Sequence, residues 1–383
     1  MPDQTRQGRA HFRCYQCARP FSLGTIRWRC PCGGYFDVAM DAQFPWVNMQ
    51  ERRPGLWRYR EALPFARDLQ PVTLGETVTP LVPVADKPCQ ISFKLDYFSP
   101  TGSFKDRGAT VLISQARELN VSSVVEDSSG NAGAAIAAYA AAAGIAATIF
   151  VPESASQSKL AQINLYGASV ISVPGSRAAT TRAAVAAAEN DFYASHVWNP
   201  FFLEGTKTVA FELWEQLNQT VPDWVITPVG HGTMLLGLHK GFQFLRAAGI
   251  TSSVPQLIAV QAAACAPLWQ AWNSPGAGGL PEITPTPTGA EGIAISRPTR
   301  WQQCLSAIKT TGGELEIVTE AEIEDALLAW ARRGFLMEPT SATAPAALEK
   351  WIARGMLKPH QRGVVIITGS GIRAAASLNP EAS

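Results

Sequence analysis

The sequence predicts an α/β fold built on parallel sheets, and three observations carry that expectation. From about residue 77 onward, strand-like apolar runs alternate with longer helical patterns, the rhythm of sheets joined by crossover helices. Three strand-to-helix turns, "SSGNAG" (128–133), "PVGHGTM" (228–234) and "TGSG" (368–371), are rich in glycine and small polar residues. Such turns present backbone N–H groups at helix N-termini, where anions and ligands bind. Finally, 46% of the residues are apolar and 16% charged over 383 residues, a well-buried composition too long for one compact core.

Taken in order, the chain opens on "FRCYQCARPFSLGTIRWRCPCGGYFDV", which reads as two knuckles on short strands. Cys14-x-x-Cys17 has the usual metal-knuckle spacing, and Cys30-x-Cys32 is one residue tighter, with Gly33 and Gly34 supplying backbone freedom. Four thiolates so grouped suit a tetrahedral zinc ion, and a ribbon that only packs is the alternative. Residues 41–75 have no clear period and read as a wrapping connector.

Strands follow at 91–98, 121–129, 147–152, 169–175, 223–230, 256–262 and 363–371, each alternating or continuously apolar. Helical patterns occupy 105–120, 130–144, 158–167, 178–190, 232–249, 320–334 and 341–355. Residues 273–289 form the one long loop with a flexible composition.

The formal charge of +1 gives no field for nucleic acid or an anionic membrane, which points to a small-molecule partner. No apolar run is long enough to span a bilayer, because the alanine-rich stretch at 132–151 is broken by Gly133 and Gly144. The first 14 residues lack the apolar segment of a secretory signal. The expectation is therefore a cytoplasmic protein, and a homodimer is the common symmetric assembly.

Lys105 is the most unusual charge, set in "SPTGSFKDRG" where a loop enters a helix. Either it is an ordinary first-turn residue or it is an amine with chemistry to do. Asn131 could serve as a helix N-cap, Thr368 as a turn residue, His231 as packing and Glu291 as a solvated carboxylate.

The segments "TGSFKDRG", "SSGNAG", "WNPFFLEGTKT", "PVGHGT", "GFLMEPTSA" and "ITGSG" stand in an order that resembles threonine synthase and its relatives. These are pyridoxal-phosphate (PLP) enzymes of fold type II, the tryptophan synthase β-subunit fold, and the likeness runs from roughly Gly75 to the C-terminus. The resemblance implies two open parallel-sheet αβα domains with the cofactor between them, plus the N-terminal zinc-ribbon-like segment. It divides the chain into a ribbon at 1–40, a connector and start of the large domain at 41–107, a small domain at 108–196 and the large PLP domain at 197–383.

Carried over residue by residue, the resemblance makes Lys105, beside Phe104, the aldimine lysine and then the base for the Cα proton. Asn131 would bond the cofactor's 3′-oxygen, while Ser128, Ser129 and Gly130 would hold the substrate carboxylate. The turn Gly230, His231, Gly232, Thr233 and Met234 would cradle the cofactor phosphate. Thr368 would meet the pyridine nitrogen, and Glu291 would lie over the cofactor face. A hydroxyl at the ring nitrogen, in place of a carboxylate, suits elimination and replacement better than transamination.

The resemblance also marks where O-phosphohomoserine would be held: a Thr, a Ser, an Arg and an Asn. Here those places read Ala132, Val197, Phe202 and His231. A dianion stripped of its charged and hydroxyl partners is poorly held, because its desolvation goes uncompensated. His231 with Lys207 or Arg297 is the remaining route to an anion site.

The expected function is thus a PLP-dependent, threonine synthase-like lyase or replacement enzyme acting on a small amino acid, with Phe202 lining the substrate pocket. A genuine threonine synthase with a rearranged phosphate site is one alternative. A non-catalytic binding protein of the same fold is another, against which the intact "SFKDRG" argues.

Overall fold

The computed structural model of the chain describes residues 10–372 apart from 67, 156, 190 and 275–278, with the backbone alone at 157–159. The expectations about the first nine residues and part of the 273–289 loop fall outside this range.

Three short strands open the described chain: β1 (Ala10–Cys14), β2 (Pro20–Phe21) and β3 (Phe36–Met40). The connector carries a turn of helix, α1 (Trp46–Met49), and a 3-10 stretch at Leu56–Ala62. Next come β4 (Leu81–Val84), β5 (Gln90–Leu95), α2 (Lys105–Glu118), β6 (Ser123–Glu126), α3 (Asn131–Ala143) and β7 (Ala146–Pro152). They are followed by α4 (Gln157–Leu165), β8 (Ser169–Val173), α5 (Arg177–Ala187), β9 (Phe192–Tyr193), α6 (Pro200–Thr206) and α7 (Thr208–Gln216). The last stretch holds β10 (Trp224–Pro228), α8 (Thr233–Ala247), β11 (Gln256–Ala262), α9 (Pro267–Asn273) and α10 (Trp301–Thr310). It ends with β12 (Glu314–Val318), α11 (Glu320–Ala331), α12 (Pro339–Ala353) and β13 (Arg362–Ile367).

The chain forms two compact units, 1–78 with 105–208, and 79–104 with 209–383. In the first, β8-β7-β6-β9 make a parallel sheet, and β2-β1-β3 make the antiparallel ribbon. The ribbon shares the core of this unit: Phe12 stacks on Phe36 at 5.4 Å and meets Phe201 edge-on at 5.7 Å.

This grouping places α6 with α2, whereas the sequence division had put 197–383 together. The physical reason is close helix approach at two glycines. A Cβ on Gly108 would stand 2.4 Å from the Phe202 ring, and one on Gly205 would stand 1.8 Å from the Arg107 carbonyl oxygen. No side chain fits at either position, so α2 and α6 pack backbone to backbone.

The second unit holds a six-stranded sheet in the order β12-β11-β10-β13-β5-β4, parallel except for the β4 edge. Its central strands β10, β11 and β13 are largely apolar and almost entirely buried because both faces are covered. One charged pair is buried here: Lys94 Nζ lies 2.7 Å from Glu212 and also donates to the Thr79 carbonyl and to Gln216. Three acceptors compensate the desolvated ammonium. The α/β architecture agrees with the sequence expectation. Among the described residues, no helix is long and apolar enough to cross a membrane.

Candidate active site

In the first unit, Lys105 is the opening residue of α2 and is half-buried. Its Nζ lies 5.8 Å from the centre of the Phe202 ring, which is fully buried. An aromatic face beneath an amine offers a weak cation–π contact and excludes water. The α2–α6 approach at Gly108 fixes that ring, so the glycine is what sets Phe202 against Lys105.

The turn after β6 runs Asp127-Ser128-Ser129-Gly130 into α3. Gly130 is the N-cap and no side chain caps the helix, so Asn131 is the first helical residue and not the cap. The turn is tight: Gly130 N–H donates to Ser128 Oγ at 3.3 Å, and a Cβ on Gly133 would stand 1.8 Å from the Ser128 carbonyl oxygen. A Cβ on Gly130 would meet nothing within 4 Å. The α3 N-terminus therefore faces outward through open main chain, the arrangement that receives a carboxylate.

Two residues without an assigned role in the sequence stand at this end of the sheet. Glu126 closes β6 and is fully buried; its Oε1 lies 2.7 Å from His196 Nδ1, and its Oε2 accepts the His196 backbone N–H at 3.2 Å. Burial first, then Asp127, pushes the Glu126 carboxyl well above its ordinary range. Burial first, then Lys105, holds the His196 imidazole well below its own. Neither residue carries a motif of its own, and their pairing links positions 70 apart in the chain, so local sequence holds no signal for it.

In the second unit, β10 leads into the turn Gly230-His231-Gly232, which caps α8 with Gly232 at φ +89°. A Cβ on Gly230 would stand 2.9 Å from Ile293 Cα, and one on Gly232 would stand 2.2 Å from Cys304 Sγ. Thr233 and Met234 are buried and His231 is half-buried. The turn thus leaves no room for a side chain at Gly230 or Gly232 and runs main-chain N–H groups into a helix N-terminus, a geometry suited to an anion. Replacing Gly232 by Ala should lower stability by about 1–3 kcal/mol through the φ strain and the clash with Cys304. Denaturant unfolding with a titration of PLP into the cofactor-free variant measures both the loss and the weaker cradle.

Thr368 follows β13 and is buried. Its Oγ1 lies 2.8 Å from Ser341 Oγ, which also accepts the Gly369 N–H at 2.7 Å. The Phe104 N–H donates to the Thr368 carbonyl oxygen at 2.9 Å, so Phe104 and Thr368 are brought together. Ser341 orients that hydroxyl; sequence reasoning quoted its motif without giving it this role. Glu291 is exposed at the start of a 3-10 turn, Glu291–Ile293, whose Ile293 packs on Gly230.

Of the alternative anion donors, Lys207 is occupied within the core. Lys207 is fully buried in an ion pair with Glu204 and reaches the Met40 sulfur of the ribbon, while Arg297 is exposed. In the ribbon, all four thiols of Cys14, Cys17, Cys30 and Cys32 lie within 4.8 Å of one another.

Within the second unit, a glycine cradle suited to a phosphate and a buried hydroxyl set by Ser341 fit pyridoxal phosphate; within the first, Lys105 is an amine at a helix start, as that cofactor requires. Residues 72–369 match the family described as pyridoxal-phosphate dependent enzyme. The chain belongs to this family. This PLP-dependent enzyme is 36% identical to a threonine synthase of Methanocaldococcus jannaschii over 94% of its own length and 92% of that protein. It is 35% identical to a threonine synthase of Methanosarcina acetivorans over 94% and 91%. Its fold is similar to a fungal L-serine ammonia-lyase from Rhizomucor miehei, with TM-score 0.70 and 24% identity over 81% of this chain and 98% of that one. It is similar also to serine racemase from Dictyostelium discoideum, with TM-score 0.63 and 27% identity over 77% and 92%. The enzyme is a threonine synthase-like PLP enzyme of fold type II.

Proposed function

We propose that this enzyme catalyses elimination or replacement at Cβ or Cγ of a small amino acid with an uncharged side chain, and that O-phosphohomoserine is not its substrate. The observation that carries this reading is Phe202, a fully buried apolar ring 5.8 Å from Lys105 Nζ where the resemblance calls for a cation. Arg107 bonds Thr208 and Lys207 pairs with Glu204, so these two cations of the unit are engaged elsewhere.

When bound, pyridoxal phosphate supplies the electron sink that makes a Cα proton removable. Lys105 would hold the cofactor and take that proton at Nζ. The main chain at Ser128–Gly130 would orient the substrate carboxylate and Asn131 would hold the cofactor's 3′-oxygen. Gly230–Met234 would hold the cofactor phosphate, and Thr368, set by Ser341, would serve its ring nitrogen. Phe202 keeps water from the amine and gives the substrate side chain an apolar wall.

A threonine synthase with a rearranged phosphate site is the second reading, favoured by the 36% identity over 94% of the chain to a protein of that name. One competition assay decides between them. With serine and O-phosphohomoserine present together, pyruvate and ammonia should form with at least about a hundredfold higher kcat/KM than threonine is released from the phosphorylated substrate. The opposite ratio would make the second reading the right one.

The four cysteines are proposed to hold a zinc ion. Cys14 Sγ lies 3.5 Å from Cys32 Sγ, and Cys17 Sγ 3.6 Å from Cys30 Sγ. Tetrahedral Zn–S bonds of about 2.3 Å put sulfurs roughly 3.8 Å apart, so the thiols already stand at close to ligand spacing.

A further inference from the structure

We propose that Asp127 is a positioning residue, the anchor that holds the turn Ser128–Gly130 in shape for the substrate carboxylate. The inference rests on the reading that the main chain of this turn receives that carboxylate. The turn opens α3 with no side chain capping the helix, and a Cβ on Gly130 would meet nothing within 4 Å. Main chain so open needs anchors at its ends. At the far end, Gly133 lies so close to the Ser128 carbonyl oxygen that a Cβ there would stand 1.8 Å from it. At the near end stands Asp127, between the last residue of β6 and Ser128.

The Asp127 carboxylate is buried, and two hydroxyls from distant elements donate to it. Tyr193, which closes β9, reaches Oδ1 at 2.9 Å, and Thr181 of α5 reaches Oδ2 at 2.7 Å. The Arg177 guanidinium stands 3.6 Å from Oδ2. Arg177 and Thr181 are four apart on α5 and so share the face turned to Asp127. Ser176 caps that helix by accepting the Ala179 N–H at 3.3 Å, which fixes its first turn. Burial first, then Asp127, pushes the Tyr193 hydroxyl well above its ordinary range, so it stays a donor. Tyr193 is itself set by the edge-on ring of Trp28 at 5.3 Å and by the pairing of β9 with β6. Asp127 thus ties the turn to a helix and a strand whose partner residues lie 54 and 66 positions further on.

Main-chain N–H groups hold a carboxylate where their directions converge, and each bond weakens steeply as its angle opens. A displacement of about 1 Å is enough to lose such alignment. Without Asp127 the N–H groups remain but no longer converge, so the loss falls on ligands that carry a carboxylate. The role is one of position and not of charge, because a neutral amide at 127 can make the same two ties.

The test titrates the holoenzyme with L-alanine and L-alaninamide, which differ in the carboxylate, and reads binding from the absorbance of the cofactor. Wild type should bind alanine at least about tenfold more tightly than the amide. Asp127→Ala should weaken alanine about thirtyfold and alaninamide less than about threefold, with cofactor content unchanged. Asp127→Asn, whose oxygen accepts from Tyr193 and whose NH2 donates to Thr181, should stay within about threefold of wild type on both. Tyr193→Phe, which keeps the ring against Trp28 but loses the donor, should weaken alanine about fivefold and spare the amide. Wild type that binds both ligands alike, or neither, would overturn the carboxylate reading of the turn and this assignment together. Wild type that favours alanine overturns this assignment alone in two cases. One is Asp127→Ala or Tyr193→Phe keeping that preference or losing both ligands alike, and the other is Asp127→Asn losing as much as Asp127→Ala.

Discussion

Lys105→Ala should lose the covalent hold on the cofactor and at least about a thousandfold in turnover, the combined effect of removing nucleophile and base. Borohydride reduction followed by mass analysis of the tryptic peptide should fix PLP to the wild-type peptide containing Lys105 and not to the variant. Lys105→Arg should behave like the alanine, because a guanidinium keeps the charge but neither attacks an aldehyde nor takes a proton near neutral pH. Added methylamine should restore part of the alanine variant's rate and none of the arginine variant's, since the open space is there only in the first. The denaturation midpoint should move little, because α2 is held by its close backbone approach to α6 at Gly108. Retained turnover in Lys105→Ala would remove the basis for every role assigned around it.

The glycine turns, the strand–helix rhythm and the lysine were legible because each is a local pattern: φ at Gly232 or the tight turn at Gly133 leaves a mark in a few consecutive letters. The same reading missed β4, β12, α6, α7, α9 and α10, several of them short or without clean periodicity. The grouping of α6 with α2 depends on two glycines nearly a hundred residues apart, Gly108 and Gly205, each of which alone looks like a tolerated helix glycine. His196 with Glu126, Ser341 with Thr368 and Lys207 with Glu204 show the same limit. A polar residue's role is fixed by what it meets, and in the first two pairs the partner lies 70 or 27 positions away. Lys207 looked like an available cation until its neighbour three residues earlier was seen to face it in a dry core.

Removing the zinc proposed for the ribbon should weaken the site as well as the ribbon, because Phe12 and Phe36 share one core with Phe201 and Phe202. Phe12 and Phe36 of the ribbon stack on each other, Phe12 meets Phe201, and Met40 touches Lys207. Phe201 adjoins Phe202, the ring beneath Lys105. Structural zinc sites contribute on the order of 10 kcal/mol to folding the segment that binds them, more than a ribbon of three short strands can replace by packing. Cys14→Ser removes a buried ligand and should yield protein without zinc by elemental analysis. Its thermal midpoint should fall by at least about 4 °C, and the quenching environment of Trp28, packed 5.3 Å from Tyr193 and 4.9 Å from Trp198, should be lost. Serine or threonine turnover should fall with it, while Cys89→Ser, a buried thiol of the other unit outside the cluster, should leave zinc content unchanged. Wild-type protein that purifies without metal and keeps its midpoint in strong chelator would show that the ribbon holds by packing, with Phe12 and Phe36 as its core.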